Sequence, residues 1–171
     1  MSIFSKVQNH LKSFDKSRKA PDGLKFLGEA NRSVYLINDE SAIRPRLISN
    51  SAASRNDYPS FNGMVLKQAD TSRQKKDNKS EFKTWNKLKK SRYYRKNLAQ
   101  TFLCTSNGKY LVMERVNPVE GYDPKATEFA DNIQDRVVKD LNIRRDDVDV
   151  HESAIGVKNR SYKIYDYPWI K

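Results

Sequence analysis

"DVHESAIGVKNRSYKIYDYP", residues 149–168, decides how the rest of this chain is read. Two runs within it, "AIGVKN" and "SYKIYDY", alternate apolar and polar residues at the period of a strand. Asn159 and Arg160 supply the turn between them. Such a hairpin returns the chain on itself, so Asp149 and Asp166, seventeen residues apart, can converge on one site. Paired oxygen ligands of this kind suit a hard cation such as magnesium.

Upstream, the periodicity changes several times. Ile3, Phe4, Val7, Leu11 and Phe14 are spaced for a short amphipathic helix over residues 2–15, followed by a polar turn region up to Gly23. "GLKFLGEANRSVYLIN" predicts a hairpin through Leu24, Phe26, Val34 and Leu36. Residues 39–62 are rich in Ser, Asn, Arg and Pro and keep no period, which predicts an insertion loop. "GMVLKQA" predicts a strand. The segment from Lys76 to Tyr94 predicts one helix, with Phe82, Trp85 and Leu88 as its apolar stripe. "AQTFLCTSNGKYLVMERV" is a second hairpin turned at Ser106, Asn107 and Gly108. Asp123 and Pro124 then open a helix carrying Phe129, Ile133, Val137 and Leu141. The class expected is α+β.

At 171 residues the chain has room for one folding unit or two small lobes sharing a core. Its net charge of +12 is unevenly placed: eleven Lys and Arg lie between Arg73 and Lys96, against only Asp77 and Glu81. That field suits polyphosphate, nucleic acid or an acidic protein. A lone cysteine, Cys104, cannot form an internal disulfide and is expected to pack as a small apolar group in a reducing cytosol. No apolar run reaches spanning length and the N-terminus lacks a secretory hydrophobic region, so a cytoplasmic location and no membrane partner are expected.

The order of elements, with the residues at its key points, resembles the protein-kinase-like fold over about residues 24–168. "DVHESA" is similar to the D-x-H-x-x-N loop of aminoglycoside-kinase-like and some phage-type protein kinases, with Ala154 where the asparagine belongs. "IYDYP" stands where kinases carry D-F-G. "MVLK" resembles their third strand, ending in Lys67, and Glu81 is the helical carboxylate that would pair with it. "LGEANRSVY" is a partial match to the phosphate-covering loop, keeping Gly28 and the apolar Val34. "YLVMERV" resembles the strand that leads into the hinge.

The resemblance implies a small antiparallel-sheet lobe, residues 24–116, that binds nucleotide and carries the 39–62 insertion. It further implies a truncated catalytic lobe over 117–171, with 1–23 as helix and linker, all within a single minimal kinase-like domain. It implies ATP and magnesium as cofactors and a Ser/Thr protein kinase as the activity. Asp149 would position the attacking hydroxyl, His151 would support the loop and Lys67 would hold phosphates. Met113 would sit behind the adenine, and the backbone from Glu114 to Val116 would read its edge. Asp166 would hold the metal, while Ala154 marks the second metal ligand as lost.

That loss implies weak or absent transfer with nucleotide binding retained. A natural pseudokinase, an inactivated form of an active kinase, and an active enzyme using Glu152 or Ser153 instead all fit the letters. The chain stops soon after Asp166, so recognition of a protein substrate, an acidic one suiting the basic surface, is expected from the insertion, the N-terminal helix, the basic helix or a partner copy in a homo-oligomer. A phage origin would place the protein in the host cytoplasm. The alternative from a different class is a binding module without catalysis, its basic helix gripping nucleic acid through phosphates and through stacking on Trp85, Tyr93 and Tyr94.

Overall fold

The computed structural model describes residues 20–29, 31–48, 59–148 and 150–167. The expected N-terminal helix, Asp149 and residues 49–58 of the insertion lie outside them. The described chain is α+β. Strands β1 (Leu24–Glu29), β2 (Ser33–Ile37), β3 (Val65–Gln68), β4 (Thr101–Cys104) and β5 (Tyr110–Met113) form an antiparallel sheet in the order β1-β2-β3-β5-β4. A second sheet holds β6 (Asn117–Pro118), β7 (Ile155–Lys158) and β8 (Ser161–Ile164). Helices α1 (Arg44–Ile48), α2 (Ser72–Leu88), α3 (Arg92–Asn97) and α4 (Pro124–Leu141) complete it.

Alternation along the strands assigns each face of the large sheet. Tyr35 pairs with Leu66 and Leu66 with Val112, and these three join Ile37, Leu103, Phe61 and Leu47 in one apolar cluster. The neighbouring residues point the other way: Val34 pairs with Lys67 and Lys67 with Leu111, a row on the face that α2 covers. Lys67 is therefore placed under a helix by a period of two, although its side chain is charged.

The described part of the insertion, residues 39–48 and 59–62, contains regular structure that its composition did not predict. Asp39 caps a short 3-10 turn, and α1 follows, burying Leu47 and Ile48. Apolar residues too few for a visible period are enough when the sheet supplies the other half of the contact.

The single basic helix expected over residues 76–94 is two. Thr71 and Gln74 start α2 with a capping box, four residues earlier than the apolar stripe suggests. The helix closes at Lys89, where the Arg95 guanidinium donates to the carbonyls of Lys89 and Lys90 at 2.8 and 3.0 Å. The break swings Tyr94 into the core, where its hydroxyl donates to Asp140 at 3.0 Å. Trp85 is buried too, and Tyr93 is half-buried with Arg136 over its ring. Trp85 and Tyr94 of the expected stacking platform are thus spent on the core, and the half-buried Tyr93 remains with the exposed cations of that stretch.

Helix α4 is capped as expected, Asp123 accepting from the amides of Lys125 and Ala126, and buries Ala126, Ala130, Ile133 and Val137 at helical spacing. Burial of each larger aliphatic side chain contributes about 1.5–3 kcal/mol. These residues join one cluster with Val65, Trp85, Met113, Ile155 and Ile164, so a single core runs across the 116/117 boundary. Cys104 is half-buried, and burial pushes its thiol up to about 11, leaving it protonated and unreactive at neutral pH.

Strand β6 had no signal in the sequence. It pairs with β7 because Gly156 admits the approach: a Cβ there would lie 2.7 Å from the Asn117 carbonyl oxygen. The β7–β8 hairpin turns at Asn159 and Arg160, both in the left-handed region at φ of 50° and 63°. No helix among the described residues is long and apolar enough to cross a membrane.

Candidate active site

The hairpin and the large sheet bring Lys67, Glu81 and Asp166 together. Lys67 Nζ lies 2.8 Å from Glu81 Oε1, 2.8 Å from the Tyr165 carbonyl oxygen and 3.1 Å from Asp166 Oδ1. Those contacts engage all three donors of an ammonium group. Glu81 is 0 % exposed and Lys67 4 %, a burial that two charges tolerate only when paired. Glu81, and not Asp77, is the lysine's helical partner.

The site also contains a residue that sequence reasoning missed. Arg32, from the β1–β2 turn, is 5 % exposed and donates to Glu81 Oε2 at 2.9 Å, to Asn78 Oδ1 at 2.7 Å and to Asp166 Oδ1. Each Glu81 oxygen therefore takes one cation, and Asp166 Oδ1 takes both. Asn78, fully buried, is oriented by donating to the Gly108 carbonyl at 2.9 Å. The turn itself is tied to α2 through the Gln74 side chain, which donates to the Asn31 carbonyl.

Asp166 differs from its partners in keeping 40 % of its side chain exposed. Burial pushes its carboxyl upward, but Lys67 and Arg32 together outweigh that and hold it below the usual carboxylate range, so it is an anion at neutral pH. Its backbone is pinned on both sides. The Tyr165 hydroxyl donates to the Ser153 carbonyl at 2.8 Å, and the buried Tyr167 donates to the Ala99 carbonyl at 2.6 Å.

Ala154 lies beside this segment, its carbonyl accepting from the Tyr165 amide at 2.8 Å. It is 6 % exposed and its methyl belongs to the main core cluster. His151 is exposed and closes its own turn: the Ser153 amide donates to its Nδ1 at 3.2 Å, and its carbonyl accepts from the Ala154 amide at 2.9 Å. Asp149 is not among the described residues.

No protein-family model matches the chain, and no curated protein matches it significantly in sequence.

The remaining nucleotide-site candidates lie on β1, β2 and β5 and in the segment after β5. Gly28 follows a bulge in β1 and pairs with Val34, and a Cβ on it would meet nothing within 4 Å, so its outer side faces open space. Val34 is half-buried next to Lys67 in the register. Met113 is buried, pairing with Val65 and Thr101. Glu114 has a side-chain role that the sequence reading did not include. Its amide donates to the Gln100 carbonyl at 2.7 Å, and its carboxylate takes Lys158 at 2.6 Å and Lys163 at 3.0 Å. Glu114 therefore clamps the large sheet to the β7–β8 hairpin, and Val116 beyond it is half-buried. Burial raises the Glu114 carboxyl, and hydrogen bonds from the two lysines override it, so the group sits below its ordinary value.

Among the described residues no three His, Cys, Asp or Glu side chains converge as a metal cage. Among the described residues of the cluster Asp166 is the carboxylate with an exposed side, and Ala154 offers no side-chain oxygen. Magnesium commonly binds through one or two carboxylates with phosphate oxygens and water completing its shell. The donor set thus fits one ion brought in with a polyphosphate.

Proposed function

We propose that this chain is a minimal kinase-like phosphotransferase that binds ATP with magnesium between Lys67 and Asp166 and acts weakly on protein Ser or Thr hydroxyls. The observation that carries the reading is the buried Lys67–Glu81 pair with Asp166 at the same ammonium. An ammonium held at 4 % exposure by a fully buried carboxylate, with a half-open carboxylate as its third partner, is a charge fixed for exchange at one position only. In this reading Asp166 would hold the metal, and Lys67, kept in place by Glu81 and the Tyr165 carbonyl, would offer its remaining donor to a phosphate oxygen.

Magnesium, when bound, neutralises phosphate charge and aligns the leaving group. In this reading Asp149 orients the hydroxyl of the substrate and receives its proton as the oxygen attacks the γ-phosphorus and the bond to the β-phosphate breaks, releasing ADP. His151 supports the loop that carries Asp149. Ala154 supplies no ligand, which weakens charge neutralisation in the transition state more than ground-state binding. A basic groove of about 720 Å³, lined by Lys96, Arg136, Lys139 and Arg160 with Tyr93 and Phe129, offers an acidic protein a place to dock.

The test is Ala154→Asn with γ-labelled ATP, supplied with a cell extract as acceptor. Label transferred to the protein itself or to the extract, above the level given by the unaltered chain, is the expected result. A folded Ala154→Asn protein that binds ATP and transfers nothing refutes the weakened-enzyme reading.

A further inference from the structure

We propose that Arg32 is a second, built-in phosphate cation of the Lys67–Asp166 site. The inference rests on the nucleotide reading of the Lys67–Asp166 site. Four observations carry it. Arg32 reaches the same Asp166 oxygen as Lys67, so the two cations face one position. Its grip on α2, through Asn78 at 2.7 Å and Glu81 at 2.9 Å, does not depend on Asp166. Asn78 and Glu81 are both 0 % exposed, and Gln74 ties the neighbouring Asn31 carbonyl to the same helix, so the side chain is held in place from behind. Finally, its contacts with the described residues use three of the five N–H groups of a guanidinium, leaving donors for phosphate oxygens.

Charge decides the direction. With Asp166 in the cluster, two cations face two carboxylates and the site is neutral. Once Asp166 turns to a metal, Lys67 and Arg32 share Glu81 alone, and one net positive charge faces the polyphosphate. A guanidinium fixed by a neighbouring amide and carboxylate keeps its geometry through that exchange, and its fork matches phosphate oxygens. The site then needs one metal ion rather than two.

The experiment is calorimetric titration of ATP, ADP and AMP into the unaltered chain, Arg32→Gln and Arg32→Lys, with magnesium and with EDTA, alongside a count of magnesium bound per nucleotide. The unaltered chain is expected to bind one magnesium per ATP and to retain measurable ATP binding in EDTA. Arg32→Gln is expected to weaken ATP by about 10- to 100-fold, the loss of one charged hydrogen-bonding partner, and AMP far less. Arg32→Lys keeps the charge without the fork and falls between. Should Arg32→Gln fail to fold, Arg32→Lys and the magnesium count decide. Equal or tighter ATP binding in the Arg32 variants, or two magnesium ions per nucleotide in the unaltered chain, overturns this inference alone. No ATP binding by the unaltered chain overturns the nucleotide reading and this inference with it.

Discussion

Glu81→Gln removes one charge and keeps the shape of the side chain, which makes it the sharpest probe of the buried cluster. The carboxylate is fully buried and its two oxygens hold Lys67 at 2.8 Å and Arg32 at 2.9 Å, so the amide leaves two buried cations competing for Asp166. Breaking a buried ion pair by removing one partner costs about 3–5 kcal/mol. Asp166 still reaches both cations, which places this substitution near the lower bound, about 3 kcal/mol. For a domain of this size each kcal/mol moves Tm by about 2–4 °C, so a fall of about 6–12 °C is expected. Thermal melts measure the fall and urea unfolding followed by tryptophan fluorescence measures the loss of stability, with an unchanged slope against denaturant showing that stability alone has moved. A loss below about 0.5 kcal/mol, the level of an ordinary surface substitution, would refute the reasoning that this carboxylate is a buried counter-ion to both cations. Replacing Arg32, Lys67 and Glu81 together by Met, Met and Leu should recover most of the lost stability while leaving no nucleotide site, since apolar packing often replaces buried charge without penalty.

Three further outcomes are expected. Gly108→Ala should cost about 1–3 kcal/mol in the same urea assay, because φ of 76° is strained for any other residue and the new methyl would meet the Lys75 carbonyl. Glu114→Ala should destabilise the chain by about 2–3 kcal/mol by leaving Lys163 buried without its carboxylate. Because the folded Glu114 carboxyl lies below its ordinary value, its stabilisation is full above the usual carboxylate range and is lost as pH falls through the folded value; a pH series of melts should show the unaltered chain losing more stability on acidification than Glu114→Gln.

The parts of the fold that follow from local periodicity were legible in the sequence. Alternation gave β1 to β5 and the final hairpin, and Asp123 with Pro124 gave the start of α4, since in each case the signal lies within a few residues. The same alternation put Lys67 on one face with Val65 and Ala69, while its pairing with the helical Glu81 was expected from the kinase resemblance alone. Arg32 carried no such signal, for nothing local distinguishes a turn arginine that turns inward from one that stays in water. Asn78 was legible in principle: it stands three residues before Glu81 on the spacing that continues through Trp85 and Leu88, so the buried stripe is half polar. The pairing of β6 depends on a partner distant in sequence, Asn117 on Gly156 nearly forty residues later, whereas the break between α2 and α3 is a local contact, Arg95 on the Lys89 and Lys90 carbonyls, that apolar periodicity does not report. Glu114 was read for its backbone because the hinge resemblance directs attention there, whereas its carboxylate is what joins the two sheets.

Thermal unfolding in ATP and magnesium, on the unaltered chain beside Lys67→Ala and Asp166→Ala, tests the nucleotide site most directly. A ligand that binds only the folded state at a hundred times its Kd stabilises by about 2.7 kcal/mol, so the unaltered chain should melt about 5–11 °C higher with nucleotide than without. Both variants should show no such rise. An equal rise in all three proteins, or none in the unaltered chain, would contradict a nucleotide site built on Lys67 and Asp166.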